Sequence, residues 1–227
     1  MTNSAFLPED LQDPLASRRL FMPPPRAPRR VAIYHDLLTA LGLHVHAWRL
    51  ALEHMAVPDG GQLLQVGCGT GDLALEVKRS HPSLEVEGVD PDESAIEVAA
   101  RHAEGAGLHV LFKKGYPQDL PETAESQDAV LCVLFLHRLR GEDRGDAFME
   151  IRRVLRPGGR FLLVDFGAPA GGLSGWLVRR LALHEPGVED HLKMGLLELL
   201  KIGGFEDVKL LGAGKVGLQA VSGRKKA

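Results

Sequence analysis

The stretch LLQVGCGTGDLA, residues 63–74, joins an apolar run to three glycines at alternate positions. A short apolar run that leads through glycines into a helical sequence is typical of the first strand, loop and helix of an open α/β sheet. Glycine lets the backbone adopt positive φ and approach a ligand, and the free amides at a helix start favour an anionic group. The stretch therefore predicts a ligand-binding loop at the carboxyl end of a strand.

The spacing of these glycines argues against a dinucleotide. That fingerprint requires a glycine at position 72, where the chain has Asp72, so a pyrophosphate would meet a carboxylate. The next predicted strand ends at Asp90, 23 residues after Gly67 and at the place where an acid hydrogen-bonds ribose hydroxyls. Together, the loop and the acid predict an adenosine-containing ligand without phosphates.

Short apolar runs alternate with helical stretches along the rest of the chain, which is typical of a parallel sheet with crossover helices. Apolar residues at spacings of three and four predict one or two amphipathic helices over residues 31–55. Strands are predicted at 62–66, 84–89, 108–113, 129–135 and 160–166, and helices at 72–80, 93–104 and 143–155. A last predicted helix, 191–204, precedes two closing strands at 205–211 and 215–221.

Length and composition limit the classes of protein that this chain can be. Its 227 residues, 44% of them hydrophobic, predict one sizeable core. The formal charge of −3 disfavours nucleic acid as a partner. Cys68 and Cys132 are too few for a disulfide framework and favour a reducing cytoplasm. The longest apolar run, 129–136, is shorter than the roughly 18 residues of a spanning helix, so we expect a soluble protein without membrane insertion.

The first 30 residues differ in composition from the rest of the chain. They include MPPPRAPRR at 22–30, whose prolines remove backbone donors and whose arginines repel one another. We expect a flexible arm over residues 1–30 and a single domain over residues 31–227. Within that domain, the sequence predicts cap helices at 31–56 and a core at 57–221.

Five segments in order resemble the motifs of class I S-adenosylmethionine-dependent methyltransferases. These segments are LLQVGCGTGDLALEV, VEGVDPDESAIEVA, KKGYPQDLP, AVLCVLFLHRL and IRRVLRPGGRFLLVDFG. Within that family, the chain is similar to the small-molecule branch related to ubiquinone and menaquinone C-methyltransferases. The resemblance implies an α/β fold with three Rossmann-like layers, N-terminal cap helices and a seven-stranded, mostly parallel sheet that ends in an antiparallel hairpin. The resemblance is also compatible with assembly as a homodimer.

The resemblance also implies where the cofactor, S-adenosyl-L-methionine, binds. The glycine loop would bend beneath the methionine group, Asp90 would hold the ribose hydroxyls and Pro91 would lie against adenine. Gln65 stands where the family usually has an acid that faces the methionine ammonium; glutamine accepts that bond without a charge. Pro117 has no amide hydrogen to donate to adenine. The implied cofactor-binding residues are Gln65, Gly67, Cys68, Gly69, Gly71, Asp90, Pro91, Tyr116 and Pro117.

The implied chemistry is in-line methyl transfer to an oxygen, nitrogen or carbon atom of a small-molecule acceptor. Holding donor and acceptor together supplies much of the acceleration, and a base is needed only where the acceptor loses a proton. His137, after the fourth strand, is the candidate base. Candidate acceptor-binding residues are Tyr34, His35, Asp165 and Trp176. No metal is expected, because His44, His46 and His54 lack carboxylate support and the first two diverge on a helix.

Three other functions are alternatives to this one. A nucleic-acid amino-methyltransferase would have an Asp/Asn-Pro-Pro-aromatic stretch after the fourth strand, where this acidic chain reads FLHRL. An arsenite methyltransferase would need several cysteines, and the chain has two. The remaining alternative is a weakly active or inactive protein of the same fold that acts as a binding or scaffold subunit, which Gln65 and the Tyr116–Pro117 pair leave open.

Overall fold

The computed structural model describes residues 43–167, 188–214 and 217–227. The predicted arm and the candidate acceptor-binding residues Tyr34, His35 and Trp176 lie outside these ranges. The helices are α1 Leu43–His54, α2 Asp72–Ser80, α3 Glu93–Ala106, α4 Gly141–Val154, α5 Val188–Met194 and α6 Leu196–Ile202, with a short 3-10 helix at Leu136–Arg138. The strands are β1 Gln62–Val66, β2 Glu85–Asp90, β3 Leu111–Lys114, β4 Gln127–Val133, β5 Leu155–Phe166, β6 Glu206–Ala213 and β7 Leu218–Arg224.

All seven described strands form one sheet in the order β3-β2-β1-β4-β5-β7-β6. The neighbouring pairs from β3 to β5 are parallel, whereas β7 is antiparallel to both β5 and β6. This arrangement confirms the predicted fold. Because β1 lies between β2 and β4, the carboxyl end of β1 opens where the chain reverses its order in the sheet, which is where open α/β folds bind ligands.

Helices cover both faces of the sheet, and each face buries its own apolar cluster. Side chains alternate along a strand, so Leu63 and Leu64 of β1 belong to opposite clusters. The Leu63 cluster includes Ala47, Ala51, Leu73, Val77, Leu131 and Val164, and the Leu64 cluster includes Val130, Phe148, Ile151, Phe161, Leu199 and Leu200. The first cluster therefore fixes α1 and α2 beside the carboxyl end of β1.

The structure corrects several predicted boundaries. The helix predicted over 191–204 is two helices, because Gly195 adopts φ of 74° and separates α5 from α6. The fourth strand ends at Val133 rather than at residue 135, because Leu134 adopts φ of 51° and turns the chain into the 3-10 helix. The third strand begins at Leu111 rather than at residue 108.

The closing strands also differ from the prediction. The sixth strand runs to Ala213 rather than to residue 211, and the last one begins at Leu218 and continues to Arg224. Register shifts between β6 and β7 accompany this extension. No described helix is both long enough and apolar enough to cross a membrane.

Candidate functional site

The glycine loop leaves β1 and turns into α2 through positive φ angles. Gly67, at φ of 74°, donates its amide to Val89 O at 2.8 Å, which ties the loop to the end of β2. A Cβ atom on Gly67 would lie 2.3 Å from the Phe135 ring, whereas a Cβ on Gly69, at φ of 53°, would meet no heavy atom within 4 Å. Glycine is therefore needed at Gly67 for close packing, while Gly69 leaves open space above the loop.

Asp90, at the end of β2, holds the middle of the loop. Its Oδ2 accepts the Gly69 amide at 2.8 Å and its Oδ1 accepts the Asp92 amide at 2.9 Å. Burial raises the pKa of the Asp90 carboxyl, although these two hydrogen bonds and the charge of Arg138 oppose the rise. The carboxylate is thus fixed in place, with oxygen lone pairs left for a ligand.

A cavity of about 470 Å³ opens above the loop and Asp90, within the usual volume range of small-molecule sites. Its floor is the glycine loop, one wall is α1 and the other is the turn after β4. The lining residues are His44, Val45, Trp48, Gln65, Gly67, Cys68, Gly69, Thr70, Asp72, Leu73, Asp90, Val133, Leu134, Phe135 and Arg138. We refer to it as the cofactor cavity, after the ligand that the resemblance implies. It brings together the predicted residues Gln65, Gly67, Cys68, Gly69 and Asp90, whereas Gly71 lies outside its lining.

The charges of the described cavity walls favour a cationic ligand. Asp72 and Asp90 contribute negative charges and Arg138 one positive charge. Burial lowers the pKa of His44, so this residue is neutral at neutral pH. The net charge of these walls is therefore negative, which suits a ligand that bears a sulfonium and an ammonium group and one carboxylate.

Gln65 is 4% exposed and lies on β1 below the cavity. Its Oε1 is buried and has no hydrogen-bond partner among the described residues. A buried oxygen without a donor costs about 1–3 kcal/mol, so a donor from a ligand would recover free energy at this position. The unpaired oxygen fits the methionine ammonium that the resemblance assigns to this residue.

The predicted adenine-binding residues lie outside the described lining of the cavity. Pro91 is half-buried directly after β2. Pro117 is buried in a turn that Asp119 closes by donating its amide to Tyr116 O at 2.9 Å. The roles of Pro91, Tyr116 and Pro117 toward adenine stay predictions.

His137 and Asp165 form a buried pair at the ends of β4 and β5. His137 Nδ1 lies 2.7 Å from Asp165 Oδ1, and the His137 amide donates to Asp165 Oδ2 at 3.1 Å. Asp165 is 0% exposed and His137 3% exposed, and neither lines the cofactor cavity. Burial opposes the ionisation of Asp165, but His137, His191 and the Phe166 amide together lower the pKa of Asp165 to about 2. The pair fixes the turn after β4, and its catalytic and acceptor-binding roles stay predictions.

Sequence reasoning missed several cavity residues. Arg138 is half-buried, and its Nε has no hydrogen-bond partner among the described residues. Its position directly after His137, beyond the end of β4, is a signal that could have identified it. His44 and Trp48 reach the cavity only because α1 packs against the sheet, and Leu134 and Phe135 because β4 ends early. No local pattern indicates these four contacts.

A sheet of this order, with a glycine loop and an acid at adjacent strand ends, defines the Rossmann-like class of α/β proteins that bind nucleoside ligands. Residues 63–159 match the family model described as "Methyltransferase domain". On the strength of this match and of the relatives below, this chain of 227 residues belongs to the S-adenosylmethionine-dependent methyltransferases.

Two curated relatives and one solved structure show the extent of the similarity. The ubiquinone/menaquinone biosynthesis C-methyltransferase UbiE of Syntrophotalea carbinolica is 32% identical over 68% of this chain and 66% of its own length. The demethylmenaquinone methyltransferase of Thermus thermophilus is 32% identical over 66% of this chain and 68% of its own length. The chain thus spans about two thirds of these relatives. A Thermotoga maritima S-adenosylmethionine-dependent methyltransferase, a possible histamine N-methyltransferase, shares the fold at TM-score 0.65, with 21% identity over 87% of this chain and 97% of the other.

S-adenosyl-L-methionine is the cofactor of this family, as the resemblance predicted. The described residues fit it in three ways. The space above Gly69 accepts a ligand close to the backbone, the Gln65 oxygen lacks a donor, and the charged walls are net negative. The first two observations fit the methionine part of the cofactor. The lone pairs that remain on the Asp90 carboxylate fit the hydroxyl groups of its ribose.

Proposed function

We propose that this protein transfers a methyl group from S-adenosyl-L-methionine to a small-molecule acceptor of the quinol type. The observation on which the proposal rests is the cofactor cavity, which the glycine loop and Asp90 line together with apolar side chains from both walls. Val45 and Trp48 of α1 and Leu134 of the turn after β4 supply these apolar side chains, and a flat apolar ring packs well against them. The names of the relatives, which refer to quinone biosynthesis, support this class of acceptor.

Three residues of the cavity have defined roles in this proposal. Asp90 accepts hydrogen bonds from the ribose hydroxyls, Gln65 accepts one from the ammonium, and Gly69 gives the ligand room against the backbone. When bound, the cofactor supplies an activated methyl group. The protein orients the two reactants and excludes water, which accounts for much of the rate in such reactions.

His137 stays the candidate base for an acceptor that must lose a proton. Its contact with Asp165 fixes the ring and leaves Nε2 as the nitrogen that accepts a proton. In this proposal, His137→Gln lowers the rate of transfer to acceptors with weakly acidic hydroxyl or carbon sites more than the rate to acceptors that are already ionised. Equal losses for both kinds of acceptor would assign His137 to structure alone.

The experiment that tests the function uses the full chain with isotopically labelled cofactor. Reduced quinone, phenol, amine and phospholipid acceptors are supplied separately, and cofactor binding is measured by calorimetry in parallel. We expect binding together with label transfer to the reduced quinone. Transfer only to another acceptor would replace the proposed substrate class. Cofactor binding without transfer to any acceptor would instead favour the scaffold alternative.

The remaining parts of the proposal concern the cellular compartment, the partners, the oligomeric state and the domain organisation. We place the protein in the cytoplasm, because its two cysteines are buried and unpaired and suit a reducing compartment. The acidic net charge supports a function without nucleic acid. A homodimer, a flexible arm over residues 1–30 and a single catalytic domain over residues 31–227 belong to the same proposal, and light scattering and limited proteolysis test them.

A further inference from the structure

A second cavity lies at the amino-terminal edge of the sheet, at the opposite end from the cofactor cavity. Its volume is about 500 Å³. It is formed by the segment before β1, the start of β5 and the end of β7, so the function described above does not use it. The lining residues are Ala56, Val57, Pro58, Asp128, Arg156, Pro157, Gly158, Gly159, Arg160 and Arg224. We refer to it as the arginine cavity.

Two of these arginines face each other across antiparallel strands. Arg160 of β5 pairs directly with Arg224 of β7, so both side chains lie on the same face of the sheet. Like charges in such a pair repel. Arg160 donates to Ser222 Oγ at 3.1 Å and Arg224 donates to Gly158 O at 3.2 Å, and neither forms an ion pair within the described ranges. The repulsion is therefore not balanced by a neighbouring carboxylate.

The acids near this pair have other partners. The Asp128 carboxylate lies 2.5 Å from Arg156 and accepts the Gln62 amide at 2.8 Å, so its charge is already neutralised. Glu206 lies opposite Arg224 on β6, but its carboxylate forms an ion pair with Lys226 at 3.9 Å. Among the described lining residues, the cavity thus has two positive charges in excess.

We infer that the arginine cavity binds the phosphate group of a small phosphorylated molecule. The two guanidinium groups offer forked N–H donors that match phosphate oxygens. A doubly charged anion between Arg160 and Arg224 attracts both side chains, and this attraction offsets their mutual repulsion. The cavity is larger than a phosphate ion, and Val57, Pro58 and Pro157 supply an apolar wall for the carbon part. Burial and the charge of Arg224 lower the pKa of Arg160, consistent with a cation that lacks a counter-charge.

Calorimetric titration of the full chain at low ionic strength tests this site. The probes are glycerol phosphate, inorganic phosphate and citrate. We expect glycerol phosphate to bind most tightly, because it uses both the arginines and the apolar wall. Arg160→Gln or Arg224→Gln should weaken its binding by roughly tenfold or more, since charged hydrogen bonds are lost. Arg79→Gln on α2, where the arginine already pairs with Glu76, is the matched control and should leave the affinity unchanged.

Thermal unfolding gives a second readout that does not depend on activity. Arg160→Gln relieves the repulsion, so the ligand-free variant should unfold at the same temperature as the unaltered protein or higher. Glycerol phosphate should raise the unfolding temperature of the unaltered protein by more than that of the variant. The inference is overturned if millimolar glycerol phosphate does not bind, if both arginine variants bind it as tightly as the unaltered protein does, or if citrate binds more tightly than the phosphates.

Discussion

The glycine loop and the His137–Asp165 pair lie at the same edge of the sheet, yet the chain uses them in opposite ways. Around Gly69 the backbone borders open space, and the Gln65 oxygen has no donor among the described residues. We call Gln65, the glycine loop and Asp90 the open region. Around Asp165 the hydrogen bonds within the described residues all join neighbouring protein groups, and the carboxylate is fully buried. We call His137, Asp165, Phe166 and His191 the sealed region. A strand end in an open α/β fold is therefore not in itself a ligand site, because packing decides whether it is open.

The largest effect should come from the sealed region. Asp165 accepts the ring proton of His137 and the amides of His137 and Phe166. Asp165→Asn replaces one carboxylate oxygen by an NH₂ group, which then faces an N–H donor of His137 or Phe166. Because these buried donors lose their acceptor, the free energy of unfolding should fall by about 3–5 kcal/mol. Denaturant titration measures this loss. Asp59→Asn, in an exposed loop, is the control and should stay within about 0.5 kcal/mol. A small loss at Asp165 would mean that the pair is not structural.

The two glycines of the open region should respond differently to the same change. Gly67→Ala should cost about 2–4 kcal/mol of stability, because it adds strain at positive φ to a collision with Phe135. Gly69→Ala meets no neighbour, so only the strain of about 1–2 kcal/mol remains. Its new methyl group instead enters the cavity and should weaken cofactor binding. Thermal unfolding measures the loss of stability in each variant, and calorimetry measures the loss of cofactor affinity. Equal losses of stability in Gly67→Ala and Gly69→Ala would contradict the loop geometry given above.

The stability of the sealed region should also depend on pH. Burial lowers the pKa of His191 to about 4, against the attraction of Asp165, while His137 and Arg144 lower it further. Between this value and the roughly 6.5 of an unfolded histidine, only the unfolded chain binds the proton. The free energy of unfolding should therefore fall by up to about 3 kcal/mol as pH falls from 6.5 to 4.

Denaturant titrations across this pH range measure the effect, and His191→Leu should remove most of the slope. Asp165 stays ionised throughout, because its pKa of about 2 lies below the range. His109→Gln, at an exposed position, is the matched control. An unchanged slope in His191→Leu would assign the pH dependence to other groups.

Asp90 connects the open region to its ligand. Asp90→Ala removes an acceptor for ribose and also the anchor of the Gly69 amide, so cofactor affinity should fall by about 1–3 kcal/mol. Asp92→Ala, two residues on, removes the N-cap of α3 and should lower stability by about 1 kcal/mol without changing the affinity. An unchanged cofactor affinity in Asp90→Ala, measured by calorimetry, would remove the ribose assignment.

The same two regions show what the sequence could predict. The succession of strands and helices along the chain, the loop and the position of Asp90 follow from local patterns of glycines and apolar runs, and the structure agrees with them. Burial of His137 does not follow from such patterns, because it depends on Asp165 and Phe166, far along the chain. Arg138 was missed for a related reason, since its place in the cavity depends on Leu134 ending β4 early. Local sequence indicates which segments form strands, and long-range packing decides which side chains line the cavity at the strand ends.

The smallest effect sharpens the role of Gln65. Gln65→Glu would place a carboxylate where the buried oxygen now lacks a donor, so the cofactor ammonium should bind severalfold to about tenfold more tightly. Because the demethylated product retains the same ammonium, its affinity should rise in parallel. Product inhibition would then increase, and turnover need not improve.

Without ligand, the same variant buries an unpaired charge, so its stability should fall below that of the unaltered protein and recover when cofactor is added. Gln127→Glu is a suitable control, because Gln127 is also buried with an unpaired oxygen but lies at the other end of β4, away from the cavity. That control should lose stability with no gain in cofactor affinity. If Gln65→Glu leaves both affinities unchanged, or weakens both while the fold is intact, Gln65 does not face the ammonium and only supports the loop.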